Sequence, residues 1–332
     1  MHIFRGFQHP GIAPACALTI GNFDGVHRGH QAMLALLISE ARHRQIPSCA
    51  LTFEPHPRDY FANLARKPEL APARIATVRD KLTELARCKV DQCVVLPFDA
   101  RLSSQVPEAF VDRVLVRGLG AKYVLVGDDF RFGAHRAGDY AMLDAFGSAK
   151  GFDVARMNSY EVHGLRVSSS AVREALGRGE MDRVATLLGR NYSISGHVVH
   201  GRKLGRELGF KTVNLRFTHW KPAASGIFAV LVHGLAPQPL PGVANLGIRP
   251  SLDPRDVNRG RVLLETHCLE WPQALGPEGG YGKIIRVELL HKLHDELKYD
   301  GLEALTRGIR KDCEDARAYF ASTRRQTTRD RI

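Results

Sequence analysis

The chain has 332 residues, of which 44% are hydrophobic and 25% are charged, so it is long enough for two domains with hydrophobic cores of their own. These ordinary values exclude a mainly disordered protein, and disorder is expected only in the C-terminal tail. The formal net charge of +12 suits anionic ligands such as nucleotides, but it would equally suit nucleic acid. Charge alone therefore does not choose between these partners.

The cysteines and the apolar segments bear on where the protein acts. The six cysteines form no Cys-x-x-Cys pair, and most of them lie in apolar segments. This pattern predicts reduced core thiols in a cytoplasmic protein, and it disfavours disulfide bonds or a zinc site. We find no N-terminal signal sequence and no apolar run of about 18 residues, so neither secretion nor a membrane span is expected.

Apolar strands alternate with amphipathic helices over the first half of the chain. Strands are predicted at 15–20, 48–53, 92–96, 123–127 and 153–157. Helices are predicted at 28–44, 77–88, 107–116 and 138–150. This alternation predicts βαβ units and a parallel sheet with helices on both faces. Ligands of such sheets bind at the carboxyl ends of the strands.

The sequence GNFDGVHRGH at 21–30 separates the first predicted strand from the first predicted helix. Backbone N–H groups at a helix N-terminus converge on an anion, and the helix dipole favours a negative charge there by roughly 0.3–1 kcal/mol. His27 and His30 can face one bound group, and Gly29 lets that group approach the backbone. The segment is neither a P-loop nor a Gly-x-Gly-x-x-Gly turn. It resembles the His-x-Gly-His signature of the nucleotidylyl transferase superfamily.

Two further segments would have to converge on the same site. The loop 126–133 follows the fourth predicted strand and carries adjacent carboxylates, two aromatic residues and an arginine. The segment 168–173 places three serines and an arginine at the start of a helix, which predicts a second phosphate site. For adenylyl transfer, the two histidines would donate to phosphate oxygens while the serines and the arginine would hold the departing pyrophosphate.

The second half of the chain has an apolar period of two. Strands are predicted at 192–199, 227–233, 242–246, 261–269 and 284–293. Five or so short strands of this kind predict a small antiparallel barrel. Helices are predicted at 169–177 and 180–188, and one amphipathic helix follows the barrel. The predicted domains are 1–186 and 187–322, followed by a basic tail at 323–332 that we expect to be flexible.

The segment 201–215 is rich in glycine, arginine and lysine and lies between predicted strands. It is not a P-loop, because Phe210 separates its glycine from its lysine and because no helix follows. Thr212 and Asn214 alternate in an extended stretch, so their oxygens lie on one side and suit Mg²⁺. Glu265 is a carboxylate within an apolar strand, and it is a candidate base for a hydroxyl acceptor.

Together these segments resemble the bifunctional prokaryotic riboflavin kinase/FMN adenylyltransferases, also called FAD synthetases. The matching stretches are GNFDGVHRGH, VGDDFRFG, SSSAVREAL, SGHVVHGRKLGRELGFKTVN, PGVANLGIRP and LETH. The resemblance implies an α/β fold, in which a Rossmann-like nucleotidylyl transferase domain with a parallel sheet precedes a small antiparallel β-barrel of six strands with a C-terminal helix. It implies a transferase that phosphorylates riboflavin to FMN and adenylylates FMN to FAD with release of pyrophosphate, using ATP and Mg²⁺.

The resemblance also implies roles for residues at matching positions. Catalytic roles fall on His27, His30, Arg173 and Glu265. ATP contacts fall on Gly21, Phe23, Asp24, Gly29, Asp129, Ser169, Ser170, Gly201, Lys203, Gly205, Gly209 and Thr212. Flavin contacts fall on Asp129, Phe130, Asn214, His294 and Glu296, and metal contacts fall on Thr212 and Asn214. The expected partners are small-molecule substrates, with no nucleic acid and no membrane, for a monomer or weak homo-oligomer.

The chain departs from the family pattern at three places. Lys211 stands where the family usually has a proline, so a fixed φ is lost and a cation is added. His294 stands where the family tends to have an arginine, so a titratable charge replaces a permanent one. The residues at 279–282 replace Asp-Leu-Tyr-Gly after a proline-containing insertion at 272–278.

Two other functions stay open on the residues alone. The first domain could transfer a nucleotidyl group to another phosphorylated acceptor, with the barrel as a binding module, but this leaves Thr212, Asn214 and Glu265 unexplained. The barrel could instead bind nucleic acid as an OB-like fold. That function predicts exposed aromatic residues among the basic ones, whereas these strands are mostly aliphatic and 8% of the chain is aromatic.

Overall fold

The computed structural model describes residues 1–162, 164–200, 209–217, 221–250, 260–276 and 279–329. Contacts divide the chain into two compact units. The first unit comprises Met1–Pro72 and Asp80–Ser169, and the second comprises Ala73–Arg79 and Ser170–Ile332. None of the helices in these described ranges combines the length and the apolar character that a membrane span needs.

A six-stranded parallel sheet forms the centre of the first unit. Its strands are β1 (His2–Arg5), β2 (Cys16–Ile20), β3 (Ser48–Glu54), β4 (Gln92–Pro97), β5 (Ala121–Gly127) and β6 (Asp153–Met157). Their spatial order is β1-β4-β3-β2-β5-β6. Every residue of β2 is buried, as expected for a central strand that is covered on both faces. The predicted parallel sheet is confirmed, and the short strand β1 is an addition to it.

The helices of this unit are α1 (Arg28–His43), α2 (Pro57–Leu64), most of α3 (Val78–Arg87), α4 (Ala100–Ser103), α5 (Pro107–Phe110) and α6 (Tyr140–Lys150). The helix α5 continues as a π-helix over Val111–Val116, and short 3₁₀ turns lie at Pro68–Leu70 and Ala134–Arg136. A small hairpin pairs β7 (Glu161–Val162) with β8 (Leu165–Arg166). Asp139 caps α6, because its carboxylate accepts a hydrogen bond from the Met142 N–H at 3.0 Å.

A closed antiparallel barrel forms the centre of the second unit. Its strands are β9 (Tyr192–Val199), β10 (Thr212–Arg216), β11 (Gly226–His233), β12 (Leu240–Pro250), β13 (Gly260–Cys268) and β14 (Ile284–His294). Their order around the barrel is β10-β13-β12-β11-β14-β9. The periodicity alone predicted five or so strands, and β10 is the sixth. The helices α7 (Ser169–Arg178) and α8 (Met181–Leu188) precede the barrel, and a 3₁₀ turn lies at Gln273–Leu275.

The last helix, α9 (Leu302–Arg329), packs on the outside of the barrel. Cys313 and Ala316 of this helix cluster with three apolar residues of β11 and β12, which are Ile227, Ala229 and Val243. The opposite face of the strands contributes Leu215, Leu264 and Leu246, which pair across three strands and fill the barrel interior. The helix covers 323–329, which the sequence predicted as tail, and the flexibility of that segment stays a prediction.

Candidate active sites

The glycine turn predicted to bind phosphate connects β2 to α1. Phe23, Gly25 and Val26 have positive φ angles of 48°, 84° and 42°. This conformation is strained for a bulky or β-branched residue, and such strain concentrates at ligand sites. Burial of two residues holds the turn in place, since Phe23 is 0% exposed and Val26 is 1% exposed. The turn is thus a rigid backbone structure at the N-terminus of a helix.

The two histidines of the turn are stacked on each other. His27 caps α1, and its Nδ1 accepts a hydrogen bond from the His30 N–H at 3.3 Å. A neutral His27 therefore carries its proton on Nε2, the atom that can donate to a phosphate oxygen. The ring centroids are 3.6 Å apart, and a Cβ at Gly29 would lie 3.2 Å from His27 Nδ1. The absence of a side chain at Gly29 leaves room for this pair.

The loop after β5 lies beside the glycine turn at the carboxyl edge of the sheet. The strand β2 has β3 on one side and β5 on the other, so the strand order reverses here, where such sheets bind ligands. Asp129 is exposed, and its Oδ1 lies 3.6 Å from where a Cβ at Gly127 would be. Its neighbour Asp128 accepts a hydrogen bond from Ser159 at 2.6 Å, which lowers the pKa of Asp128. The ring of Phe130 stacks on Phe132.

The serine segment also reaches the glycine turn. Ser169 Oγ donates to the backbone carbonyl of Asp24 at 3.1 Å, and only 2% of Asp24 is exposed. Ser169 is the last residue of the first unit, whereas Ser170 and Arg173 belong to the second. There the Nε of Arg173 donates to the carbonyl of Ala73 at 2.7 Å. The roles of Ser170 and Arg173 at a pyrophosphate remain predictions.

Lys81 is a residue of the first site that the sequence did not indicate. Its side chain is 2% exposed, and its Nζ donates to Asn22 O at 3.4 Å and to Thr52 Oγ1 and Phe53 O at 3.3 Å. The Glu54 carboxylate lies 3.7 Å from the same ammonium. A buried cation thus joins the glycine turn to the carboxyl end of β3.

A partly exposed aromatic cluster lies at the same edge of the sheet, and the sequence did not indicate it either. The ring of Phe98, just after β4, makes edge-to-face contacts with Phe53, Tyr60 and Phe61 at centroid distances of 5.8, 5.5 and 5.8 Å. Half of Phe61, 50%, is exposed. Aromatic surface of this kind can stack on a flat ring system.

In the second unit, the strand register brings together residues predicted to hold metal and to act as base. Asn214 pairs with Glu265 across β10 and β13. Asn214 is 4% exposed, and its Oδ1 has no hydrogen-bond partner among the described residues. Thr212 lies on the same face of β10, opposite His267. Burial lowers the pKa of His267, and its Nδ1 donates to the carbonyl of Lys211 at 2.8 Å.

Three of the predicted nucleotide contacts, Gly201, Lys203 and Gly205, lie outside the described residues. Gly209 is described, with a φ of 84° and open space within 4 Å of a Cβ built on it. A glycine is therefore favoured at position 209 by the backbone conformation and not by a close neighbour.

Comparison with known proteins accounts for both units. A family model for FAD synthetase matches residues 10–171, and one for riboflavin kinase matches residues 188–320. The bifunctional riboflavin kinase/FMN adenylyltransferase of Escherichia coli K12 is 41% identical over 98% of this chain and 99% of its own length. The protein of the same name from Pseudomonas fluorescens is 42% identical over 97% of this chain and 98% of its own. The chain belongs to this bifunctional family.

A solved structure of another protein shares the fold of this chain. It is that of a macrolide-efflux protein from Streptococcus pneumoniae, which covers 96% of this chain and 99% of its own with a TM-score of 0.74. At 24% identity, this similarity concerns the fold alone.

Lys211, the first departure from the family pattern, makes contacts within the second unit. Its Nζ donates to the carbonyl of Gly276 at 2.7 Å and lies 3.8 Å from the centroid of the Trp271 ring. The indole N–H of Trp271 donates to the same carbonyl at 3.1 Å. Lys211 therefore fastens the start of β10 to the loop after β13, through one hydrogen bond and one cation–π contact.

His294, the second departure, is bonded through both ring nitrogens. Nε2 lies 2.7 Å from Asp312 Oδ1 on α9, and Nδ1 lies 2.7 Å from the carbonyl of Asp295. Both partners are acceptors, so the protonated imidazole satisfies both. Burial opposes the charge on His294, but the hydrogen bonds to Asp312 and Asp295 outweigh it and raise the pKa of His294. The protonated form is thus favoured at the position where the family tends to have arginine.

Two other family-related positions also make contacts within the second unit. A Cβ added at Gly247 of β12 would clash with the carboxylate of Glu296, which places that carboxylate over the strand. In the third departure, at 279–282, the ring of Tyr281 stacks on His200 with centroids 3.8 Å apart. The loop before β14 is therefore anchored to the end of β9.

Proposed function

We propose that the two units divide two consecutive reactions between them. The second unit phosphorylates riboflavin to FMN with ATP, and the first unit adenylylates FMN to FAD with release of pyrophosphate. The observation that carries this proposal is that both family models match, in order and on one chain, the units that hold the two candidate sites. The proposed domain bounds are 1–186 and 187–322; the models leave 172–187 between them.

In the adenylyl transfer, an oxygen of the FMN phosphate attacks the α-phosphorus of ATP. The new O–P bond forms as the bond to the pyrophosphate oxygen breaks, and no protein nucleophile is needed. His27 Nε2 and His30 donate hydrogen bonds to the phosphate oxygens at the N-terminus of α1, where backbone N–H groups also converge. The flavin ring of FMN stacks on the aromatic cluster around Phe98, at the same edge of the sheet.

In the kinase reaction, Glu265 takes the proton from the attacking ribityl hydroxyl of riboflavin. The hydroxyl oxygen bonds to the γ-phosphorus while the bond from that phosphorus to the ADP oxygen breaks. His294 and Glu296 contact the flavin on the outer face of the barrel. The charge on His294 is held by Asp312, so it can substitute for the arginine that is usual in the family.

Magnesium is part of the proposal for the second unit. The buried Asn214 Oδ1 has no partner among the described residues, and such an orphaned oxygen fits a hard cation. Thr212 and Asn214 would hold the ion. When bound, it would neutralise charge on the transferring phosphoryl group.

Partners and location complete the proposal. We propose small-molecule substrates as the partners, with no nucleic acid, for a monomer or weak homo-oligomer. We propose a cytoplasmic location, which the six free cysteines support.

Product analysis tests the proposal directly. The purified protein is incubated with ATP, Mg²⁺ and either riboflavin or FMN, and the flavins are separated by chromatography. FMN and FAD are expected from riboflavin, and FAD alone is expected from FMN. If neither appears, the proposal is wrong; FAD formed only from FMN would refute the kinase half. The alternative function predicts adenylylation of another phosphorylated acceptor, so a pantetheine phosphate and a nicotinate nucleotide serve as comparison substrates.

A further inference from the structure

Three strands of the barrel place polar residues in one row on its outer face. Asn214 of β10 pairs with Glu265 of β13, and Glu265 pairs in turn with Asn245 of β12. Residues paired directly across strands project to the same face, with Cβ atoms roughly 4.5–5.5 Å apart. Glu265 therefore lies between two carboxamides, one on either side.

The two carboxamides face different halves of the site. The row continues from Asn245 to Ile227 and then to His294. Two residues along β12 from Asn245, on the same face, Gly247 lies under the carboxylate of Glu296. Asn245 thus stands between the proposed base and the proposed flavin contacts, whereas Asn214 stands on the side proposed for metal and nucleotide.

Asn245 also carries a buried polar atom that the described residues leave without a partner. In the described part of the chain, Asn245 Oδ1 has no hydrogen-bond partner, as is the case for Asn214 Oδ1. Leaving a buried acceptor unpaired has a cost in free energy. A ligand that supplies a donor on this side of Glu265 would remove that cost, and the hydroxyl-bearing ribityl chain of riboflavin is such a ligand.

We propose that Asn245 binds the ribityl chain of riboflavin and positions its terminal hydroxyl beside Glu265. Asn245 Oδ1 accepts a hydrogen bond from one ribityl hydroxyl. Glu265 takes the proton of the terminal hydroxyl, whose oxygen bonds to the γ-phosphorus as the bond to ADP breaks. This inference rests on the kinase function proposed above, and it adds the residue that recognises the acceptor.

The test compares Asn245→Ala and Asn245→Leu with the unaltered full-length protein. Leucine keeps the branched shape and the number of heavy atoms of asparagine but removes its hydrogen bonding, so it separates the loss of the contact from the creation of a cavity. The steady-state constants for riboflavin and for ATP are measured in the kinase reaction. In both variants we expect the KM for riboflavin to rise about tenfold, which corresponds to about 1.4 kcal/mol, while the KM for ATP changes less than about twofold.

Thr266→Val is the matched control variant. Thr266 is adjacent to Glu265 in β13, is 1% exposed and also has a buried side-chain oxygen without a partner among the described residues, but it lies on the opposite face of the strand. Loss of its hydroxyl is expected to leave the kinase constants unchanged. Thermal unfolding of each variant, measured on the same samples, reports whether the barrel is folded, and conversion of supplied FMN to FAD reports the same for the first unit.

The outcomes separate this inference from the function on which it rests. If the unaltered protein forms no FMN from riboflavin, the proposed kinase function is wrong. If it forms FMN and either variant keeps its KM for riboflavin, Asn245 does not bind the acceptor. An equal rise in the KM for ATP, or an equal effect of Thr266→Val, would also overturn the inference. Should Asn245→Ala fail to fold, Asn245→Leu decides.

Discussion

In the first unit, His27 and Lys81 bond to neighbouring groups of the protein and hold the glycine turn, whereas in the second unit two buried amide oxygens on the barrel have no partner in the described residues. His27 accepts a hydrogen bond from the His30 backbone, and Lys81 donates to one oxygen of the glycine turn and to two oxygens of β3. These two amide oxygens, which have no partner in the described part of the barrel, belong to Asn214 and Asn245. The backbone of the glycine turn is therefore held in place without substrate, whereas the two amide oxygens of the barrel are available to ligands.

The same contrast concerns how each site is built. Core packing holds the strained backbone of the glycine turn, so the shape of the turn depends on the sheet beneath it. The side chains of Asn214, Glu265 and Asn245, on three adjacent strands, form what we call the kinase row, and its shape depends on the register of the barrel strands. Because each unit carries its own site, a change in one reaction can be measured against the other reaction in the same sample.

The largest expected effect is that of Glu265→Gln on the kinase. Glutamine keeps the shape of the side chain but cannot take the proton, so FMN formation should fall about a thousandfold. Adenylylation of supplied FMN should continue, since the glycine turn belongs to the first unit. Chromatographic rates with riboflavin and with FMN check this, and an unchanged kinase rate would exclude Glu265 as the base.

The reciprocal change, His30→Ala, should act on the first unit. It removes one donor to the phosphate oxygens and the ring that stacks on His27, so FAD formation should fall at least about a hundredfold. FMN should then accumulate from riboflavin. If both products disappear together in a folded variant, the two sites are not separate, and the comparison drawn above fails.

Lys81→Met should have a smaller effect, also confined to FAD formation. Methionine keeps an unbranched side chain but removes the ammonium that joins Asn22 to the end of β3. We expect kcat/KM for FMN adenylylation to fall about tenfold, since one charged group that holds the turn is lost. Lys122→Met, a change at an exposed lysine of the same unit, is the control.

Kinase activity of Lys81→Met should stay at the level of the unaltered protein. Equal losses in Lys81→Met and Lys122→Met would show that overall charge, and not the position of Lys81, matters. An unchanged adenylylation rate would show that the turn holds its shape without this cation.

Much of the architecture could be predicted from sequence, because it follows from local patterns. The alternation of apolar strands and amphipathic helices predicts the parallel sheet, and the glycines with His27 and His30 predict the turn. Lys81 could not be predicted to be buried, because a lysine in an amphipathic helix is normally on the solvent face. Its burial depends on Thr52 and Phe53, which are distant in sequence.

The kinase row shows the same limit. Glu265 and Asn214 were recognisable one at a time, but Asn245 lies in an apolar run, and only the pairing of three strands places it beside Glu265. Register between distant strands is set by tertiary packing and is not encoded in a local period. The short strand β1 was not predicted for the same reason, since it pairs in parallel with β4, which is distant in the chain.

The smallest expected effect is the pH dependence contributed by His294. Its raised pKa means that the folded state favours the protonated ring, which pairs with Asp312. The resulting stabilisation should be complete below the ordinary pKa of 6.5 and should be lost as pH rises through the higher folded value. For a partly exposed pair it amounts to about 1 kcal/mol or less. The arginine of His294→Arg keeps its charge throughout, so this pH-dependent loss should be absent in that variant.

Thermal unfolding of the two proteins, measured from about pH 6 to about pH 9, isolates this contribution, because a histidine with a raised pKa titrates within that range. The midpoint of the unaltered protein should fall relative to that of His294→Arg as pH rises. The difference should grow only above the ordinary histidine pKa, because below it both side chains carry a positive charge opposite Asp312. Parallel curves across the whole range would mean that His294 does not titrate with folding. The pair of His294 with Asp312 would then contribute no charge-dependent stability to the barrel.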